Sequence, residues 1–503
     1  MDTSRGFNVK HAGAPLKTGA GGVVSHFEHQ RIAPQTRVTT DNGNFAGGQE
    51  VHFRIKSSSS RWFIPKMSKL MVTMTVRDGA GGAGPPATSV RFVTCPVSQL
   101  FSSARVVIGN TSIETRGSNY GLLSQFATRN SVSREVGKTA GSDRFNLDFD
   151  TLMVAANGAE DTFAQHAAVG EIPVRRNMKQ DIIQTAAGSE FQISEGINLD
   201  VLSTDAWFPG CTVDIYLLIN PHYAQDMLYS GDVADQVRFA RDANVAHTDI
   251  TGNAAAGGGH KALITLGAGG LGPPVINIKE LHFMAKFAMP ITGLLKVPSF
   301  QLAYETVTYA ERHINTSTSF EETFTVPPGV RAVCIFSREK LNDIQLDNGR
   351  FAAAGGGTDT VKGVAIANAA GAITRSHQPF TRLQCELGGI TAPTLEYTNL
   401  DLPHLKASRL YDTYLSFFHN CEASRGEAVD LKEFCESPIA YLHLMQKPGT
   451  SASVLTVRGA FAGDTVAGGQ QHLCVVCIHA RVLEMEYSAE EDDPVKISIQ
   501  PIV

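Results

Sequence analysis

Hydrophobic and polar residues alternate over much of this chain. In VHFRIK, Val51, Phe53 and Ile55 fall on one side and His52, Arg54 and Lys56 on the other, the period-two signature of a strand with one buried face. Leu70, Val72, Met74 and Val76 repeat the pattern against Met71, Thr73, Thr75 and Arg77. RFVT, RVVIG, FQISEGINLDVL and CTVDIYLLI continue it; in the last, Cys211, Val213, Ile215, Leu217 and Ile219 share a face and Pro221 ends the run. A second series runs through VINIKELHFMAKF, SFEETFTV, VRAVCIF, RLQCEL and LHLMQK to HLCVVCIHARVLEMEY at 472–487. There the apolar positions are even (Cys474, Val476, Ile478, Val482) and then odd (Leu483, Met485, Tyr487), which predicts a β-bulge or two abutting strands near Val482.

Helical spacing is scarce. PVSQLFSSA predicts a short helix, HYAQDMLYSGDVADQVRFARDA another, and Tyr120, Leu123 and Phe126 place a helix over 118–129. A last helix, 406–419, carries Tyr411, Tyr414, Phe417 and Phe418. Both aromatic helices read as core faces covering a sheet end. Many short strands, little helix and no βαβ rhythm make the chain all-β, with sandwiches or jelly rolls as the main candidates.

The series are two copies of one plan. PVSQL (96–100) leads through SSARVVIGNTSIE to SNYGLLSQF, and PFTRL (379–383) leads through QCELGGITAPTLE to SRLYDTYLSFF. Each copy is read as closing on a long apolar strand, 211–221 and 472–487. The expected organisation is an arm at 1–44, a first unit at 45–221, a connector at 222–272, a second unit at 273–488 and a tail at 489–503.

Composition narrows the function. Across 503 residues, 43% are hydrophobic and only 18% charged, which suits a subunit that hides surface against partners. The net charge of −6 argues against a nucleic-acid binder of the basic-patch type. The N-terminus lacks the apolar core of a signal peptide, and the eight cysteines are scattered, so reduced thiols are expected and the sequons at Asn110 and Asn315 carry little weight. No run approaches the ~18 apolar residues of a membrane span.

Candidate chemistry falls away. GAGGAG (79–84) and GAGGLG (267–272) mimic a dinucleotide loop, but each runs into Pro-Pro where a helix would have to begin. Cys474 and Cys477 have half a zinc spacing without a matching pair, and on a strand they face opposite sides. His26 and His29 form the only local histidine pair. No GxSxG or HExxH occurs. No catalytic, cofactor-binding or metal residue is assigned, no cofactor is expected, and the chain is read as a building block rather than an enzyme. The acidic Glu490, Glu491, Asp492 and Asp493 read as a solvated tail, and Arg5, Lys10, Lys17, Arg31 and Arg37 give the arm at most weak, non-specific contact with nucleic acid.

The order PVSQLFSSARVVIGNTSIE, SNYGLLSQFATR, long excursion, FPGCTVDIYLLINP resembles the first half of the double jelly-roll major capsid proteins, particularly of virophages and Polinton-like viruses. Pro96, Leu100, Phe101 and Tyr120 match that family's segment, with Ser98 for its Asn and Gly109-Asn110 for its Asn-Gly; QPFTRLQCELGGITAP is similar to its second-half stretch, with Gln378 for Asn. The resemblance implies two consecutive eight-stranded jelly rolls with short helices and long loop insertions. It also implies a homotrimeric pseudo-hexameric capsomer, and an icosahedral virion shell around double-stranded DNA, assembled in host cytoplasm or nucleus. Neighbouring capsomers, penton and minor capsid proteins would be the partners. Loops 130–190 and 337–377 would form an outward tower, with arm and tail at the base. Two other readings compete: a β-sandwich carbohydrate- or receptor-binding module, and a β-rich hydrolase whose acid/base residues the sequence does not supply.

Overall fold

The computed structural model describes residues 24–36, 40–41, 44–45, 47–77, 90–92, 95–131, 191–230, 237–239, 263–264, 275–290, 299–314, 319–339, 350–354, 358–359, 366–367, 371–375, 380–387, 390–398, 408–420, 439–443, 453–461, 471–488 and 493–501. Among the described residues, sixteen strands in two sets of eight form the four main sheets. The first set is β1 (Val24–Ile32), β2 (Glu50–Lys56), β3 (Lys69–Arg77), β4 (Phe101–Ile108), β5 (Thr111–Arg116), β6 (Phe191–Glu195), β7 (Thr212–Ile219) and β8 (Val275–Pro290). The second is β9 (Ser299–Ile314), β10 (Ser319–Val326), β11 (Val330–Glu339), β12 (Phe380–Leu387), β13 (Ile390–Thr398), β14 (Ala440–His443), β15 (Ser453–Phe461) and β16 (Gln471–Tyr487).

In the first set the sheets run β1-β8-β3-β6 and β2-β7-β4-β5; in the second, β9-β16-β11-β14 and β10-β15-β12-β13. Adding eight to each number of the first pair gives the second. Every pairing within these sheets is antiparallel. This is the jelly-roll order, twice. The helix predicted after each fifth strand is present in both: α1 (Tyr120–Ser131) and α2 (Ser408–Asn420).

Alternation put the inner faces where expected. Val51, Phe53, Ile55, Val213, Ile215 and Leu217 are all fully buried. Several expectations are corrected by the structure. The closing strand of the first set is not 211–221, which is its seventh strand, but Val275–Pro290, which pairs with β3 and β1. VINIKELHFMAKF therefore finishes the first roll instead of opening the second. The glycine-rich stretch before it mimics a linker, which is why the division fell one strand early. Within it, the expected helix shrinks to Tyr223–Met227, followed by short strands at Leu228–Ser230 and Val237–Phe239.

The arm, read as lacking periodicity, holds β1. As an edge strand most of its residues are exposed on both faces, so no alternation marks it. Nor is there a bulge in β16 near Val482: its pairing with β9 runs without a slip from Gln471 to Glu486. Residues 472–480 are buried on both faces, whereas beyond Ala480 only Leu483 and Met485 stay buried. The apparent change of phase is one face emerging while the other remains covered.

The short connections fix the ends of the molecule. Residues 291–298 are too few to traverse a 16-residue strand, so β9 starts at the end where β8 finishes. Both rolls therefore stand the same way up. The longest connections (117–190, 220–274, 340–379 and 399–439) all leave from the opposite, upper end. The tail is more than an extended end. Pro494–Pro501, here β17, pairs with Arg481–Tyr487 of β16, and its Ile497 and Ile499 pack on the first roll's core.

Candidate functional site at the junction of the rolls

Two acids, one buried and one partly exposed, organise the region around α1, and neither was singled out in the sequence. Glu195, at the end of β6, is 1% exposed. It accepts the backbone N–H groups of Val97 (3.0 Å) and Ser98 (3.2 Å), the Ser98 hydroxyl, and the Asn198 amide (3.0 Å). Those N–H groups open the short helix Pro96–Gln99, where the first turn has no internal acceptor. Cys95 enters it with φ at 55°, a left-handed conformation. PVSQL is thus a clip for a carboxylate. The clue was in FQISE: Glu195 shares the inward parity of Ile193.

α1 then crosses above the clip. A Cβ on Gly121 would run into the buried Gln99 side chain, so glycine permits this approach. Tyr120 sits in the first roll's core, and its hydroxyl accepts the Asn198 N–H (3.2 Å). Leu122, Leu123 and Phe126 instead belong to the second roll's core. The helix expected to cap one sheet end stitches two cores together. α2 behaves as expected, with Tyr414 and Phe417 against Tyr441 of its own roll; the Phe418 side chain lies outside the described residues.

The second acid joins the rolls directly. Asp200, in the 3-10 turn Asp200–Leu202 between β6 and β7, accepts the Val307 N–H of β9 (3.0 Å) and pairs with Arg116 of β5. Arg116 also binds Glu114 (2.9 Å), whose oxygens take the N–H groups of Asp200 (3.1 Å) and Val201 (3.0 Å). Desolvation pushes the Asp200 carboxyl up, Arg116 opposing this and the nearby Glu114 charge adding to it. Below this cluster Phe208 meets Phe300, with ring centroids 5.5 Å apart, and Leu302, Tyr304, Leu483 and Met485 join the first roll's core. At the base, Asp493 lies 3.3 Å from the Thr212 hydroxyl. Gly109, at φ 57° in the β4–β5 turn, faces Ile497.

The rejected candidates stay apart. Cys474 and Cys477 are both buried, on opposite faces of β16. His26 and His29 lie on exposed β1, three residues apart and therefore on opposite faces. Both glycine loops, Glu490–Asp492 and residues 1–23 lie outside the described residues, as does most of 130–190. Among the described residues, no group of three or more His, Cys, Asp or Glu is placed to hold a metal ion, and no helix is long and apolar enough to cross a membrane. The outer face of the β2-β7-β4-β5 sheet does carry a polar ladder. Asp214 takes His52 (2.6 Å) and Arg54 (2.8 Å), while Tyr216 stacks on His52 and lies under Arg105.

No protein-family model matches the chain, and no curated protein matches it by sequence. Solved structures do. A chain in the 3.5 Å cryo-EM structure of the Sputnik virophage aligns over 96% of this chain and 93% of its own, with a TM-score of 0.56 at 12% identity. The chain is a double jelly roll. The mavirus major capsid protein aligns over 96% of this chain and 92% of its own (TM-score 0.46, 9% identity), and the Faustovirus major capsid protein over 94% and 92% (0.44, 10%). At these identities the likeness is one of fold. The double jelly roll accounts for the duplication, for the one-strand offset of the first roll and for the helix after each fifth strand.

Proposed function

We propose that this double jelly roll is a major capsid protein. In this reading three copies form a pseudo-hexameric capsomer, and capsomers tile an icosahedral shell around double-stranded DNA. One observation carries it: two rolls of identical strand order stand the same way up and are locked by a shared core, so each chain is a rigid two-roll block. Three such blocks around an axis supply six nearly equivalent rolls, and a ring of identical contacts closes only as a symmetric oligomer. Similarity of fold to virophage and major capsid structures supports the same reading.

The first roll then comprises β1 to β8 and the second β9 to β16, divided between Pro290 and Ser299. Residues 130–190 and 337–377, with the other long upper connections, form the outward projection. The base, with β17 and the N-terminal residues, faces neighbouring capsomers, penton and minor capsid proteins, and at most brushes the packaged DNA. The role is structural, without catalysis or cofactor, and its place is the virion.

Sedimentation velocity and electron microscopy of the purified chain test this. Trimers, or shells built of them, are expected; a monomer at every concentration and ionic strength would overturn it.

A further inference from the structure

β16 outruns one of its two neighbours. On one edge it pairs with β9 along its length, from Gln471 to Glu486. On the other, β11 reaches only to His479, opposite Val330, and β17 takes the edge from Arg481 to Tyr487. Leu483 and Met485 lie directly opposite Ile499 and Ile497, and all four side chains pack on the first roll's core. Ile497 also lies against Gly109 in the β4–β5 turn. On the other face the Lys496 ammonium donates to Glu486 (2.9 Å) and the Ser498 hydroxyl to Glu484 (3.3 Å).

β17 is the most lightly held strand of its sheet. β9, β11, β14 and β16 all carry buried side chains, whereas no residue of β17 is buried and Val495 is 58% exposed. Lys496 and Glu486 are both solvent-exposed, and an exposed ion pair adds little. The hold is therefore the backbone ladder plus two partly buried isoleucines. Segments with so few buried contacts open at low free energy while the rest of the fold stays closed. Once β17 lifts, the N–H and C=O groups of β16 below Ala480 stand unpaired beside Leu483 and Met485, which is a template for another strand.

We propose that the base of the junction is a strand-binding groove, filled within one chain by a detachable β17 and open to the same segment of a second copy. Its wall is the backbone edge of 481–487, and its floor is Leu483, Met485 and the first roll beside Gly109. Its ligand is an extended segment with isoleucine at alternate positions and polar residues between them, as in Lys496-Ile-Ser-Ile-Gln500. The ladder gives affinity and the two isoleucines give register, since a slip of one residue turns both away from the floor. A second copy's β17 makes the same contacts, so exchange costs nothing in interface energy. The groove rests on the fold alone and holds whether or not the chain forms capsids.

Two measurements test it. Hydrogen exchange on the full chain compares the two edges of β16 between Val482 and Glu486. The amides directed at β17 are expected to exchange about tenfold or more faster than those directed at β9, together with the amides of β17 itself. Equal protection along both edges overturns the strap. The second measurement deletes residues 489–503 and adds a labelled peptide of that sequence, followed by fluorescence anisotropy. The shortened chain should bind the peptide, and peptides with Ile497→Asp or Ile499→Asp should bind about tenfold or more weaker. A folded shortened chain that takes up no peptide at about 1 mM, the effective concentration of a short tether, overturns the groove, as does equal binding of the aspartate peptides. If the shortened chain does not fold, the exchange measurement on the full chain decides alone.

Discussion

The ring of Phe126, on the first roll's helix, stacks on Tyr441 of the second roll's β14, with centroids 6.5 Å apart and planes 17° from parallel. Tyr441 is also touched by Tyr414 and Phe417, so one aromatic cluster draws on both α1, through Phe126, and the second roll's own helix. Phe126→Ala should cost about 3–5 kcal/mol in chemical denaturation, as for other buried phenylalanines. A double-mutant cycle with Tyr441→Ala should return a coupling of roughly 0.5–1.5 kcal/mol. Strictly additive losses would mean that the two rings do not communicate.

Glu195 should be intolerant of truncation. Glu195→Ala leaves the Val97 and Ser98 N–H groups and the Asn198 amide without their acceptor, a loss on the order of 3 kcal/mol. Glu195→Gln keeps one carbonyl oxygen and should lose less. Urea midpoints for the two variants give the comparison; equal losses would remove the clip from the account of PVSQL.

Asp214 should give the first roll an acid-sensitive component of stability. Burial pushes its carboxyl up, but the hydrogen bonds and charges of Arg54 and His52 more than offset this and hold it below 3.8. A depressed carboxylate stabilises above its unfolded value and loses that contribution as pH falls through the folded one. At pH 7, Asp214→Asn should cost about 1–2 kcal/mol. The gap to wild type should narrow below about pH 4, as followed by thermal melts in a pH series.

Buried thiols should be inert in the folded chain. Burial raises Cys211 and Cys477 to about 12 and pushes Cys385 further still. Since the thiolate is the reactive form, maleimide at pH 8 should leave these three unlabelled until denaturant is added. Peptide mass spectrometry reads the outcome residue by residue.

What could be read in the sequence was whatever one buried face imposes. Val51, Phe53 and Ile55 betray β2 because their neighbours meet water, and Tyr120, Leu123 and Phe126 betray α1 by spacing alone. β1 stayed hidden because it has no buried face. β16 misled because residues 472–480 have two. The first roll's division failed for a topological reason: β7 is as apolar as a closing strand, and only its pairing with β2 and β4 gives its position. Asp200 was invisible for another reason. Its partner Val307 offers a backbone N–H, which no side-chain pattern encodes.

The segregation of long connections to the upper end bears on how such a chain can change length. Its footprint is drawn by strand spacing, the base turns and β17, none of which includes the long connections. Residues added to 117–190, 220–274, 340–379 or 399–439 raise the height of the molecule and leave its outline in plan as it was. Assembled as proposed, a lattice of these blocks acquires new outward features without having to be re-tiled.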